Sequence, residues 1–495
     1  MSSPLRAPED APSLARRQAL HGTAWTLLGY GGTQVLRLGS NLVLAYLLFP
    51  EAFGIMALVN VFLVGMEMFS DFGVWRSCIQ NPRGNDPQFL GTAFTIQAVR
   101  GVAIWGCTCL LAWPYARFYG EPVLVPYLAI VGINSALRGF ESTRVYTLNR
   151  ELAVRPLTLL ELGARGVQAV VMLGWAWLRP EVWALVAGGV AYGVVRLIGS
   201  HVALGGPRAR FAWEPGARRE LLRFGKWILG SSIVVFLTAN ADRLILGKFL
   251  TTERLGIYSI AFGYSSMVVA LVTKLADTVL FPLLARAQAQ PRQMMQLFLE
   301  ARRLVLWAAL GLCVAMLVGA PLFFELAYDP RYREAGTLVQ WLVPLVWSLV
   351  MGLGLDLVPL SLGRSDVQFY ANFVRSSGVI LAMGGWWLAG LPGLIGGLSV
   401  APVLRQLYLV AGLPLGRAAV LGQSLRTTLG LVASGGLGLV VVELVDGLPR
   451  LAQMLSVGAL TVLVVGITAG FVGRWIRRRR APGPGHSDEE DGPGA

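Results

Sequence analysis

The chain is poor in the residues that most enzyme chemistry and metal binding require. Its 495 residues hold three histidines, His21, His201 and His486, and four cysteines, Cys78, Cys107, Cys109 and Cys313. The histidines are dispersed, which leaves no zinc-ligand spacing. Cys107 and Cys109 stand about 200° apart on a helix and cannot face one metal together. No disulfide framework is expected either. A glycine-rich loop running into Lys and then Ser or Thr is missing, which argues against an ATP-driven pump on this chain. No cofactor is expected. Charged residues make up only 14% of the chain, and acids (28) are scarcer than lysines and arginines (42).

Apolar residues are what it has in excess. A 55% hydrophobic content exceeds what a water-soluble domain of this length carries, so the expected class is an all-α polytopic membrane protein. Apolar windows long enough to cross about 30 Å of hydrocarbon at about 1.5 Å per residue recur along the chain. They fall near 23–48, 52–75, 90–113, 123–143, 156–178, 181–204, 224–247, 255–284, 302–327, 335–361, 367–390, 392–412, 421–443 and 454–474. The first is too long for a signal-peptide core and is expected to remain as a span. The resulting division is a cytoplasmic segment 1–22, a six-span lobe 23–204, a cytoplasmic linker 205–223, a second six-span lobe 224–412, two more spans within 413–474, and a basic then acidic tail 475–495 expected to be disordered.

Basic residues in short connections bias those connections toward the cytoplasm. With both termini inside, Arg16, Arg17, Arg76, Arg83, Arg144, Arg150, Arg155, Arg208, Arg210, Arg218, Arg219 and Arg477 to Arg480 all fall on the cytoplasmic face. The opposite face receives Arg117, Arg179, Lys248, Arg254, Arg331, Arg333 and Arg450. The net charge of +14 is therefore read as topology and attraction to anionic membrane lipids, not as a nucleic-acid site.

The segment Leu44 to Ile55 recurs as Leu246 to Ile257, matching Leu48 to Leu250, Glu51 to Glu253 and Gly54 to Gly256 at a constant offset of 202 residues. A second set pairs Arg165 with Arg375, Gly174 with Gly384 and Trp177 with Trp387 at an offset of 210. Six spans return the chain to its starting side, so the copies enter in the same orientation and are related by an axis along the membrane normal. Such parallel repeats place a cavity between two lobes that rock to expose it to each side in turn.

The stretch Leu44 to Gly54, with Met68, Asp71, Phe72 and Gly73 and then Cys78 and Gln80, resembles the opening spans of the polysaccharide flippases. These belong to the multidrug, oligosaccharidyl-lipid and polysaccharide exporter superfamily. Ala241-Asp242-Arg243, Gly247-Lys248 and Leu255-Gly256-Ile257-Tyr258-Ser259 are similar to the same family, and Thr92 to Gln97 to its lipopolysaccharide-exporter branch. Tyr46 stands at the position equivalent to Lys248, a departure from relatives that keep a basic residue there. The resemblance implies a transporter of lipid-linked oligosaccharide, with glycosyltransferases and a glycan polymerase as possible partners.

Charges at membrane depth are costly, roughly 2.5–3.5 kcal/mol each, and are expected to face a cavity, a partner or an interface. Arg37 and Arg100 lie deep with no acid three or four positions away, and Gln34, Arg37 and Asn41 form a polar stripe. Arg165 has Glu161 and Lys274 has Asp277 within helical reach, while Arg196 and Arg405 are near enough to span ends to snorkel. Arginines suit a diphosphate, since the planar guanidinium stays charged and holds two oxygens at once. Arg37, Arg100, Arg165 and Arg375 are the candidate substrate residues. Asp71, Asp242 and Asp277 are candidate ion-coupling residues, with Glu67 and Asp356 as further membrane acids; charge balance or helix packing explains these acids equally.

The leading expectation is a flippase moving a polyprenyl-diphosphate-linked oligosaccharide, of the O-antigen or exopolysaccharide kind, across the bacterial inner membrane by alternating access. A lipid-linked peptidoglycan precursor flippase, a drug or cation antiporter of the same superfamily and, from a different class, a membrane glycan polymerase or ligase are the alternatives. The antiporter would favour a cavity of acids and aromatics. The polymerase would need a sizeable outward loop, which the spacing of the spans does not provide.

Overall fold

The computed structural model describes residues 11–445, apart from 72, 152, 206–209, 277–289, 357, 360–364 and 414, together with 459 and 466. The expected span 454–474 apart from 459 and 466, the tail and Asp277 lie outside the described residues. Helices dominate: α1 (Ala11–Leu47), α2 (Pro50–Met68), α3 (Val74–Gln80), α4 (Pro87–Tyr119), α5 (Leu124–Val131), α6 (Ile133–Gly139), α7 (Arg144–Arg150), α8 (Val154–Leu178) and α9 (Trp183–Val202) build the first lobe. The second holds α10 (Pro215–Phe249), α11 (Thr252–Leu275), α12 (Pro291–Ala327), α13 (Glu334–Gly352) and α14 (Ser365–Ala411), and α15 (Arg417–Val445) follows. Among the described residues nine helices are long and apolar enough to cross a membrane.

The 47-residue α14 is two spans. Helical geometry breaks at Ala389 and at Gly390, whose φ of 62° only glycine adopts without strain. Beyond the break the chain runs back on itself, for a Cβ on Gly385 would lie 2.0 Å from the Gly393 carbonyl oxygen. The expected boundary between 367–390 and 392–412 is thus a glycine hairpin.

Three expected boundaries move. The second expected span runs to residue 75, yet α2 stops at Met68, where Asp71 accepts a hydrogen bond from the Gly73 amide (2.8 Å) and Gly73 turns at φ 62°. The fourth is split into α5 and α6 at Gly132 and ends at Gly139. The linker is shorter than expected because Pro215, with its φ preset for a first helical turn, already starts α10.

What remains of the linker is strapped to the first lobe. Thr95 donates to the Ala212 carbonyl (2.8 Å), Glu214 donates its amide to Thr92 (3.0 Å), and Arg83 grips the Glu214 carboxylate at 2.7 and 2.8 Å. Arg83 also binds Asp86 (2.7 Å), and its guanidinium holds that carboxyl below the usual carboxylate range.

The lobes meet along α2 and α11, on the side where α1 ends, here called the far side. Gly54 and Gly256, the pair matched by the repeat, sit across this seam: a Cβ on Gly54 would lie 1.9 Å from the Thr252 carbonyl oxygen, and one on Gly256 1.8 Å from that of Pro50. Backbone meets backbone because neither residue has a side chain. One apolar core crosses the seam, including Leu58 and Leu128 of the first lobe and Tyr258 and Leu342 of the second.

Candidate functional site

A cavity of about 1000 Å³ lies between the lobes, walled by α1, α2, α6, α8 and α9 on one side and by α10 and α11 on the other. Its first wall is the polar stripe of α1: Tyr30, Gln34, Arg37 and Asn41, spaced three and four apart, all face it. Gln34 is fixed by a 2.7 Å bond to the Tyr30 hydroxyl.

Four arginines line the space, Arg37, Arg138, Arg165 and Arg243, with three glutamates, Glu67, Glu141 and Glu161. The glutamates are engaged. Glu67, at the end of α2, pairs with Arg138 at 2.9 Å. Glu161 accepts from Arg165 (3.0 Å), from the Tyr192 hydroxyl (2.9 Å) and from Arg196 (2.6 Å), and Arg196 reaches Glu141 as well (2.9 Å). Arg196 therefore does not snorkel; two carboxylates hold it inside, and Arg405 is likewise held by Asp356. Arg165 is also stacked over the Tyr192 ring, 4.3 Å from its centre.

Arg37 and Arg243 are left without a carboxylate among the described residues. Arg243 lies 4.4 Å over Phe262 and 3.4 Å from the Asn240 side-chain oxygen, and Arg37 has Arg165 as an electrostatic neighbour. One comes from each lobe, so the surplus positive charge straddles the seam. Uncompensated guanidinium groups in a space of low dielectric attract an anion strongly.

The sequence-predicted residues divide. Arg37 and Arg165 line the cavity, whereas Arg100 and Arg375 are not among its lining residues. Arg100 donates to the Glu67 carbonyl (2.7 Å) and to the Ser70 hydroxyl (3.2 Å), capping the open end of α2. Among the acids, Asp71 holds the turn after α2, and Asp242, 3% exposed, accepts from the Tyr258 hydroxyl (2.9 Å) in the core. Arg138 and Arg243 were not singled out. Arg138 hides at the end of a span, and Arg243 shares a motif with Asp242; adjacent helical positions point apart, and here one enters the core while the other meets the cavity.

The far side is shut by two related latches. Tyr332 donates to the Leu48 carbonyl (2.9 Å), and Arg331 reaches that of Tyr46 (3.4 Å) while lying 4.6 Å over Phe49. On the other flank Tyr119 donates to the Leu244 carbonyl (3.3 Å) and Lys248 to that of Phe118 (2.5 Å). The sequence departure at Tyr46 is accounted for here. Lys248 supplies its own donor, whereas at Tyr46 the donor is Arg331 and only a carbonyl is needed.

Comparison with known proteins places this architecture. The chain is similar to the amylovoran biosynthesis protein AmsL of Erwinia amylovora, 26% identical over 283 residues that cover 56% of this chain and 72% of the relative. It is 22% identical to the lipopolysaccharide biosynthesis protein WzxC of Escherichia coli K12 over 422 residues, 83% of each chain. Among solved structures, the lipid II flippase MurJ in an inward closed conformation superposes with a TM-score of 0.69 at 12% identity, over 92% of this chain and 100% of that one. An inward-facing multidrug transporter of the MATE family gives 0.59 at 11% identity, over 80% and 94%. These likenesses show a shared fold. The profile of the polysaccharide biosynthesis protein family matches residues 43–336, more than half of the sequence, and the chain belongs to that family.

Proposed function

We propose that this protein is a flippase that carries a polyprenyl-diphosphate-linked oligosaccharide across the bacterial inner membrane by alternating access, with both termini cytoplasmic. The observation that carries the reading is the cavity latched at the far side, in which Arg37 and Arg243 stand on opposite lobes without acid partners among the described residues. The diphosphate binds between them, with Arg138 and Arg165 beside it, and the asparagines, glutamines and tyrosines of the walls meet sugar hydroxyls. An anion touching both lobes stabilises whichever arrangement brings the two arginines together, which couples binding to rocking. The basic connections support the placement of the termini. Relatives named for lipopolysaccharide biosynthesis and for succinoglycan biosynthesis transport support the substrate class, and a glycan polymerase and glycosyltransferases are the partners this pathway position implies.

The test is transport in vesicles holding the purified protein and a fluorescent lipid-linked oligosaccharide. Relocation of the label with its covalent structure intact supports the reading. Polymerised product, or relocation of a lipid-linked peptidoglycan precursor and not of the oligosaccharide, overturns it.

A further inference from the structure

Arg165 and Arg375 are matched by the internal repeat, but their surroundings are opposite. Arg165 is held by Glu161 (3.0 Å), by Gln168 (3.1 Å) and by the Tyr192 ring (4.3 Å). The residues at the same 210-residue offset from those three partners are Ala371, Gly378 and Pro402, none with a side-chain acceptor. Ala371 is fully buried, and a Cβ on Gly378 would lie 2.8 Å from that of Ala401, so both positions are spent on helix contact.

The residue at that offset from Arg196 is Gln406, but Arg405, one position before it, makes an ion pair of the same kind. Arg196 on α9 is bound by Glu141, which lies just beyond α6; Arg405, on the second arm of α14, is bound by Asp356, which lies just beyond α13. The second lobe thus sets two arginines beside one acid. Arg375 has no hydrogen bond or ion pair among the described residues, and its electrostatic neighbours are Arg405 and Asp356. Arg405 is 8% exposed, and its Nε–H has no acceptor among the described residues.

A guanidinium does not shed its proton to escape burial, so an arginine in a membrane span left without an acid among the described residues favours a counter-charge from outside the chain. We propose that Arg375 and Arg405 form an anion site in the second lobe, separate from the inter-lobe cavity, that binds one phosphate oxyanion. A planar fork beside a second arginine matches phosphate geometry, and no acid stands at the Glu161 counterpart to neutralise it. The oxyanion is the headgroup of an anionic phospholipid or a free phosphate. The outer stripe of the first arm of α14, with Phe369, Phe373 and Ile380 exposed, abuts the lipid from which a headgroup would come. The site does not depend on the transport reading.

Full-length protein in a zwitterionic detergent is titrated with phosphatidylglycerol in one arm and inorganic phosphate in the other. Thermal unfolding and native mass spectrometry read the binding. The wild type gains unfolding temperature and keeps a bound anion in at least one arm, the arm identifying its source. Arg375→Gln binds at least tenfold more weakly in that arm. Arg375→Lys, which keeps the charge but not the planar fork, also weakens binding, and it covers the case in which Arg375→Gln does not fold. Arg117→Gln, an exposed residue stacked on Trp113 and outside both sites, retains the wild-type response. No response in either arm, wild-type affinity in Arg375→Gln or, if that variant does not fold, in Arg375→Lys, or loss in Arg117→Gln alone would each overturn the proposal. A failure of glycan transport elsewhere leaves these outcomes untouched.

Discussion

Replacing Gly256 by alanine tests the far-side seam. A Cβ there would stand 1.8 Å from the Pro50 carbonyl oxygen. An ordinary contact needs about 3.5 Å, so α2 and α11 must part by roughly 1.5 Å. The obstacle is backbone on both sides, and no rotamer relieves it. Overpacking of this kind costs about 1–3 kcal/mol, and because the cost falls only on the far-closed state it shifts the population of that state by about 5- to 150-fold. Gly54→Ala makes the reciprocal clash at 1.9 Å from the Thr252 oxygen. The same separation relieves both, so the double variant is little worse than the poorer single, a non-additivity expected of residues in contact. The assay is labelling of a cysteine at Met56, which lines the cavity, in a background without Cys78, Cys107, Cys109 and Cys313. A membrane-impermeant maleimide added from the far side labels it slowly in the parent and several-fold faster in Gly256→Ala. Gly39→Ala, where a Cβ meets nothing within 4 Å, labels like the parent. Equal labelling of the parent and Gly256→Ala, with equal transport, would refute the reasoning.

Arg37→Gln and Arg243→Gln should each weaken binding of a diphosphate lipid by about 10- to 150-fold, the loss of about 1.5–3 kcal/mol for a charge-assisted hydrogen bond, with unfolding temperature unchanged. Arg196→Gln should instead destabilise the fold by about 3–5 kcal/mol, read by thermal unfolding, because it leaves the Glu141 and Glu161 carboxylates short of a counter-charge. Acid should loosen the far-side latch. Arg331 holds the Asp329 carboxyl below its usual range, so the stabilisation is fully present above the unfolded value of about 3.9 and is lost as pH falls through the lower folded value. Far-side labelling of the Met56 cysteine should rise in that acid window and not between pH 5 and 8, and Asp329→Asn should remove the acid response.

Some of this was legible in the residues alone. The polar stripe of α1 was, because Gln34, Arg37 and Asn41 recur at the helical period and the face opposite them within the span, with Leu28, Val35 and Leu42, is apolar. The Glu161–Arg165 pair was too, being local in sequence. Arg196 was misread as snorkelling because its acids lie 55 and 35 residues away on other helices. For Arg100 the partner is a backbone carbonyl at an open helix end, which no side-chain pattern announces.

Hydropathy, charge bias and the internal repeat determined from the sequence alone that this is a duplicated bundle of membrane helices, since burial in lipid imposes length, period and polarity on every span. Only the tertiary structure decided which arginines remain free. Charge balance is a property of the space between helices, and packing, not sequence distance, sets which acids reach Arg138, Arg165 and Arg196 while Arg37 and Arg243 are left to the cavity.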